Sequence, residues 1–295
     1  MTKITEGFMP FQNYRTYFRI AGQPSDKAPL LMLHGGPGST HNYFELFDHL
    51  ADIDHRQIIS YDQIGCGLSS MPDDHPELYN AQTWVAELKA LRSYLHLNRI
   101  HLFGQSWGGM LAIIYLCDAM PAGVKSVTLA STLSSSALWG REQHRMIKLM
   151  PAADQATIAK AEQSGNYDDP AYQAVNAKYM RLHCEDEPTT SSPECLRRSK
   201  KFGQIAYQTA WGPNEYTPLG NLKDYDYTAK LAHLYVPALI TSGTNDLCTP
   251  LVAKTMADAL PNSKWKLFVG TRHMSFVEQP QQYQELLKRW LDDHD

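Results

Sequence analysis

The chain has no run approaching the ~18 consecutive apolar residues of a membrane-spanning helix. Its opening, Met1-Thr2-Lys3-Ile4-Thr5-Glu6, has no apolar core of the kind a secretion signal carries. Neither membrane insertion nor export is expected. Positive charge is in deficit: 27 Lys and Arg face 31 Asp and Glu, a formal net charge of -4 at pH 7. Without a basic surplus to neutralise phosphates, neither nucleic acid nor an anionic membrane is an expected partner. The longest basic stretch, Arg197-Arg198-Ser199-Lys200-Lys201, is short and lies near acidic residues. Cysteine is sparse: the five present are odd in number and include no Cys-x-x-Cys pair. That fits free thiols in a cytoplasmic protein better than a disulfide framework, and no Cys184–Cys195 bridge is expected. The glycine-rich segments contain neither G-x-G-x-x-G nor a P-loop, and His34, His41 and His49 lack the spacing of metal ligands. No cofactor is implied.

What is present is an ordinary globular composition, 43% hydrophobic and 20% charged, in 295 residues. That length suits one large domain with an insertion, or two domains. The organising stretch is Ile100 to Met110. Ile100-His101-Leu102-Phe103 reads as a buried strand, Met110 to Leu116 as a packed helix, and Gly104-Gln105-Ser106-Trp107-Gly108 joins them. G-x-S-x-G in that context has a physical cause. Presenting a serine hydroxyl at the tip of a strained turn brings strand and helix nearly into collision, and glycine lets them pass. Taken alone, the pentapeptide also fits a plain Gly-rich turn. With its context, Ser106 is the candidate nucleophile.

The rest of the chain supplies partners. Residues 8–20 alternate around a turn at Gln12-Asn13, as a hairpin would. Leu30 to Leu33 reads as a strand buried on both faces, ending in His34-Gly35-Gly36-Pro37-Gly38. Such a loop can turn backbone N–H groups inward, so Gly36 and Trp107 N–H are the candidate oxyanion hole, with His34 ordering the loop. A strand over Gln57–Tyr61 leads into Asp62-Gln63-Ile64-Gly65-Cys66-Gly67, where Asp62 reads as structural and Cys66 as packing. Thr83 to Leu97 places Trp84, Leu88, Leu91 and Leu95 at helical spacing, with Glu87 and Lys89 assigned outward. A strand over Val124–Ala130 follows.

From residue 134 to 235 the chain changes to charged helical stretches (Arg141–Met150, Asp154–Gln163, Pro170–His183, Leu196–Ala210) with no buried strand among them. A helical insertion between strand blocks is the expected form of a lid, with a separate binding domain as the alternative. The core is then 1–133 and 236–295. Strands at Val236–Gly243 and Trp265–Val269 end at Asp246 and His273, and a helix over Gln281–Asp292 closes the chain. Loops after parallel strands open on one sheet edge. Ser106 as nucleophile, His273 as base and Asp246 as its orienting partner make a catalytic triad in the order Ser…Asp…His.

These motifs carry a resemblance. His34-Gly35-Gly36-Pro37-Gly38, Tyr61-Asp62-Gln63-Ile64-Gly65-Cys66-Gly67, Gly104-Gln105-Ser106-Trp107-Gly108-Gly109, Gly212-Pro213-Asn214-Glu215-Tyr216, Gly220 to Asp226 and the Asp246 and His273 loops resemble the proline iminopeptidases. The likeness runs nearly end to end. It implies an α/β-hydrolase fold, with a mostly parallel central sheet, helices on both faces and an inserted helical lid. It also implies removal of an N-terminal residue, often proline, from short peptides, with lid carboxylates gripping the free amine. Glu215 matches one such glutamate, whereas the position of a second, directly after the catalytic Asp, holds Leu247. Three enzyme activities stay open: aminopeptidase, amino-acid amidase or esterase, and esterase acting without a free amine. A non-catalytic ligand-binding role is disfavoured because nucleophile, base, acid and oxyanion loop are all present. Trp139, Tyr179, Tyr207 and Trp211 are candidates for an apolar wall around a proline ring, or for core.

Overall fold

The structure is a computed structural model that describes residues 2–295. The chain opens with a hairpin, β1 (Ile4–Phe11) and β2 (Tyr14–Ala21), turning at Gln12 with φ 52°. Next come β3 (Leu30–Leu33), β4 (Ile58–Tyr61), helix α1 (Ala81–Tyr94), β5 (Ile100–Gln105), α2 (Trp107–Ile114) and β6 (Val124–Ala130). All the longer elements before the next strand are helical: α3 (Ser136–Ile147), α4 (Ala152–Ser164), α5 (Pro170–His183) and α6 (Gln204–Ala210). Then β7 (Ala238–Gly243), α7 (Pro250–Ala259), β8 (Ser263–Phe268) and α8 (Pro280–Asp292) complete the chain. The eight strands form one sheet in the order β1-β2-β4-β3-β5-β6-β7-β8. β3 to β8 pair in parallel, and only the β1–β2 and β2–β4 pairings are antiparallel.

Side-chain alternation splits the core between the two sheet faces. Leu31, Leu33, Leu102, Val127 and Ile240 join α1, α2 and α7 on one side. Leu30, Met32, Phe103 and Leu239 join Phe44, Phe47, Phe276 and the Tyr283-Leu287-Trp290-Leu291 stripe of α8 on the other. Because successive strand residues face opposite sides, a four-residue strand such as Leu-Leu-Met-Leu must be apolar throughout to serve both.

Three expectations need correction. Glu87 is not outward: it is fully buried, accepting hydrogen bonds from the Thr16 hydroxyl and from Ile64 N–H. Helical spacing itself places it there, three residues after Trp84 and four before Leu91. Its charge suggested solvent, but an unpaired buried N–H demands an acceptor. Second, Leu196–Ala210 is not one helix. A single turn at Glu194–Arg197 is followed by an irregular stretch that bonds the core loops (Gly67 N–H to Lys201 O, Gly203 N–H to Gly38 O) before α6 begins. Third, α3 begins at Ser136 rather than Arg141, because the Ser135 side chain accepts from Leu138 N–H and caps it.

Candidate active site

Ser106 sits between β5 and α2 with φ 52° and ψ −121°, a conformation that costs a non-glycine residue about 1–3 kcal/mol. The surroundings hold it. Ser106 N–H donates to Ala130 O at 2.9 Å, while Thr132 Oγ1 (2.7 Å) and Gly109 N–H (2.8 Å) donate to Ser106 O. A Cβ on Gly104 would run into the Gly108 carbonyl, and one on Gly108 into the Leu33 carbonyl. The crossing at the turn therefore involves β3 as well as β5.

Asp246 follows β7 and His273 follows β8, and the two meet: His273 Nδ1–H donates to Asp246 Oδ1 at 2.7 Å. Oδ1 also accepts from Cys248 N–H (2.8 Å), and Oδ2 from Ser131 Oγ (2.7 Å) and Gly243 N–H (3.0 Å). A carboxylate so fully occupied is fixed in orientation, and it fixes the imidazole tautomer with Nε2 unprotonated. Burial alone would lower the His273 pKa, but the Asp246 carboxylate, with Glu215 and Glu185 beyond it, outweighs burial and raises it. The edge of Trp139 packs on the ring, centroids 6.1 Å apart. The C-terminal end of α5 holds both loops. His273 N–H is shared between His183 O and Cys184 O, Leu247 N–H donates to His183 O, and His183 Nδ1 donates to Asn245 O at 2.9 Å. Carbonyls left unpaired by a helix end find partners in this way.

Beside Ser106 lies the loop that follows β3. His34 is fully buried, and burial lowers its pKa to about 4, so the ring is neutral. It orders the loop as expected, with Nδ1–H donating to Gly35 O at 2.9 Å and Nε2 accepting from Gln63 N–H at 3.0 Å. Gly35 N–H is taken by Tyr43 OH at 2.7 Å. Neither Gly36 N–H nor Trp107 N–H is used in a hydrogen bond among the described residues.

Ser106, Gly36, His273, Glu215 and Leu247 all border one cavity of about 470 Å³, walled by residues of the helical insertion. The turn carrying Glu215 is braced from behind: Trp139 Nε1–H donates to Glu215 O (2.7 Å), and Asn214 Nδ2 donates to Tyr172 OH (2.9 Å). Tyr207 OH donates to Glu215 Oε1 at 2.8 Å. Burial raises the Glu215 pKa, while His273 and the Tyr207 hydroxyl pull it down.

A family model described as alpha/beta hydrolase fold matches residues 28–280. The proline iminopeptidase of Lactobacillus helveticus (strain DPC 4571) is 60% identical over 293 residues, 99% of each chain. That of Lactobacillus crispatus (strain ST1) is 59% identical over 99% of this chain and 100% of its own. The chain belongs to the proline iminopeptidases. Among solved structures, the proline iminopeptidase of Mycobacterium smegmatis superposes with a TM-score of 0.86 at 29% identity, covering 98% of both chains. VinJ superposes with 0.91 at 29% identity, covering 99% of both.

For a proline iminopeptidase family member, the cavity departs from what the motifs suggest in two ways. Of the four aromatics singled out, only Tyr207 borders it. Trp139, Tyr179 and Trp211 are buried in the hydrophobic core that the insertion shares with one face of the sheet, and Tyr179 OH donates to Gln143 Oε1 at 2.7 Å. The exposed ring of Phe202 lines the cavity instead. The second departure is Glu185, which opens into the same cavity and has no hydrogen-bond partner for its carboxylate among the described residues. Although the residue as a whole is exposed, partial desolvation of its carboxylate raises its pKa, opposed by Lys200 and His273. Its sequence context, the polar connector Glu185-Asp186-Glu187-Pro188, gives no signal; only the docking of α5 on the His273 loop brings it near. Cys66 is buried, 3.4 Å from His34 Nε2, and burial pushes its thiol pKa well up. All five cysteines are free. Among the described residues no cluster would hold a metal ion, and no helix is long and apolar enough to cross a membrane.

Proposed function

We propose that the chain releases an N-terminal residue, proline foremost, from short peptides through an acyl-enzyme formed on Ser106. The observation that carries this is the shared cavity: nucleophile, Asp246-oriented imidazole and two acidic side chains face one confined space. Ser106 Oγ attacks the carbonyl of the first residue as His273 Nε2 takes its proton, and Asp246 stabilises the imidazolium. Gly36 and Trp107 N–H receive the oxyanion; a donor of this kind is worth about 10²–10³ in kcat. His273 then protonates the leaving amine, and water, activated by the same base, frees the residue and restores Ser106.

Glu215, with Glu185 bordering the same cavity, binds the substrate's ammonium. Without an anion, an ammonium in a space sheltered from water would be costly and would also repel the imidazolium that forms during the reaction. The helical segment 134–235 acts as the lid that encloses this space, and the free thiols suit a cytoplasmic enzyme. Leu247, buried at the cavity wall, favours a second reading in which amino-acid amides or esters with small leaving groups are preferred.

The test compares kcat/KM for prolyl, alanyl and leucyl anilides with their N-acetylated forms, alongside prolinamide and a nitrophenyl ester. Strong preference for the free amine is the expected result, and the anilide-to-amide ratio separates peptidase from amidase. Indifference to acetylation, with the ester fastest, would remove the amine from the mechanism.

A further inference from the structure

The two oxyanion donors of the proposed reaction come from separate loops, one after β3 and one at the start of α2, and no main-chain hydrogen bond links Gly36 to Trp107 among the described residues. The Gln63 side chain reaches both. Gln63, almost wholly buried, donates from Nε2 to His34 O at 3.1 Å and accepts at Oε1 from Trp107 Nε1–H at 2.7 Å. Its backbone N–H also donates to His34 Nε2 at 3.0 Å. The amide has one sensible orientation here, because the indole can only donate and a carbonyl can only accept.

These bonds act on the donors through rigid units. His34 Nδ1–H holds the Gly35 carbonyl at 2.9 Å, and that carbonyl belongs to the same planar peptide as Gly36 N–H. Fixing the direction of the C=O therefore fixes the N–H in the opposite direction. On the other side, the indole bond pins Trp107, the first residue of α2, whose N–H is the second donor. Gln63 is itself anchored on both sides. Asp62 accepts from His41 N–H and Leu68 N–H, each at 2.8 Å, and Ile64 N–H donates to Glu87 at 2.9 Å.

We propose that Gln63 is a positioning residue that sets the spacing and direction of the two oxyanion donors, acting through His34 and Trp107 without touching substrate. This rests on the assignment of Gly36 and Trp107 above.

The experiment uses Gln63→Met, which keeps length and apolar volume but removes both side-chain hydrogen bonds. It also uses Trp107→Phe, which removes the indole bond from its other end. For a prolyl anilide, each variant is expected to lose about 10–100-fold in kcat with KM within about twofold of wild type. Affinity for a prolyl boronic acid, which forms a tetrahedral adduct on the serine, should fall by a similar factor, while affinity for free proline stays unchanged. The double variant should be little worse than the worse single variant, because both remove one shared bond. Unchanged kcat and boronate affinity, or a rise in KM alone, would overturn the assignment, including where the melting temperature falls. Should Gln63→Met not fold, Trp107→Phe decides alone by the same readouts. Failure of the wild-type enzyme to bind the boronate would instead count against the serine mechanism itself.

Discussion

Ser106 is held at positive φ by bonds from β6 and by the crossing of two backbones, so its hydroxyl is aimed by the scaffold and not by its own rotamer. Replacing it with alanine leaves those restraints intact. Ser106→Ala should therefore fold with a circular dichroism spectrum like wild type and lose about 10⁴-fold or more in kcat on prolyl anilides. Full activity in that variant would displace the nucleophile assignment. The acidic side chains make a separate prediction. Glu215→Gln, and to a smaller extent Glu185→Gln, should raise KM for free-amine anilides about 10–100-fold, the scale of a lost charge-assisted bond, while sparing acyl esters. They should also shift the pH profile. Both carboxylates help hold the His273 pKa up. Removing either destabilises the imidazolium, lowers that pKa, and moves the acid limb of kcat/KM to lower pH. A limb that stays in place would separate that glutamate from His273.

Among the elements, α1 carries the most unusual group. Burial pushes Glu87 from the ordinary 4.5 up to about 8. Across that window the folded chain holds a proton that the unfolded chain has released, so stability falls as pH rises from 4.5 towards about 8. Glu87→Gln removes this proton linkage. Between pH values of about 5 and 8, its melting temperature should decline by at least roughly 3 °C less than that of wild type. Parallel declines would mean that Glu87 is ionised in the fold. The break before α6 has a tertiary cause: a Cβ on Gly203 would strike the Gly65 carbonyl, so this segment meets the core backbone to backbone. Helical propensity in Leu196–Ala210 yields to that contact.

At the scale of the molecule, the insertion lines the cavity and also bonds the loops of the sheet edge. The end of α5 binds the loops that carry Asp246 and His273, so the helical insertion and His273 are held together. A confined cavity of about 470 Å³ limits what can enter with a free amine. Released proline, measured by kcat/KM, should fall at least about tenfold between prolyl tripeptides and prolyl peptides longer than about ten residues. Undiminished cleavage of the longer peptides would show that the cavity opens widely in solution.

Much of this was legible in the chain itself, because local rules act over a few residues. Four-residue apolar runs mark strands buried on both faces, G-x-S-x-G marks the strained turn, and loop positions after successive parallel strands place Ser106, Asp246 and His273 on one edge. Those rules hold whatever the far parts of the chain do. Residue type misled where a distant group set the environment. Glu87 is buried because Ile64 N–H needs an acceptor, Glu185 reaches the cavity because α5 docks on the His273 loop, and Trp139 braces the Glu215 turn instead of lining the pocket. Gln63 is the clearest case: it stood in a turn with no visible task until folding set a histidine carbonyl and an indole on either side of its amide. Hydrogen-bond partners for buried polar groups are chosen in three dimensions, and only the tertiary structure decides them.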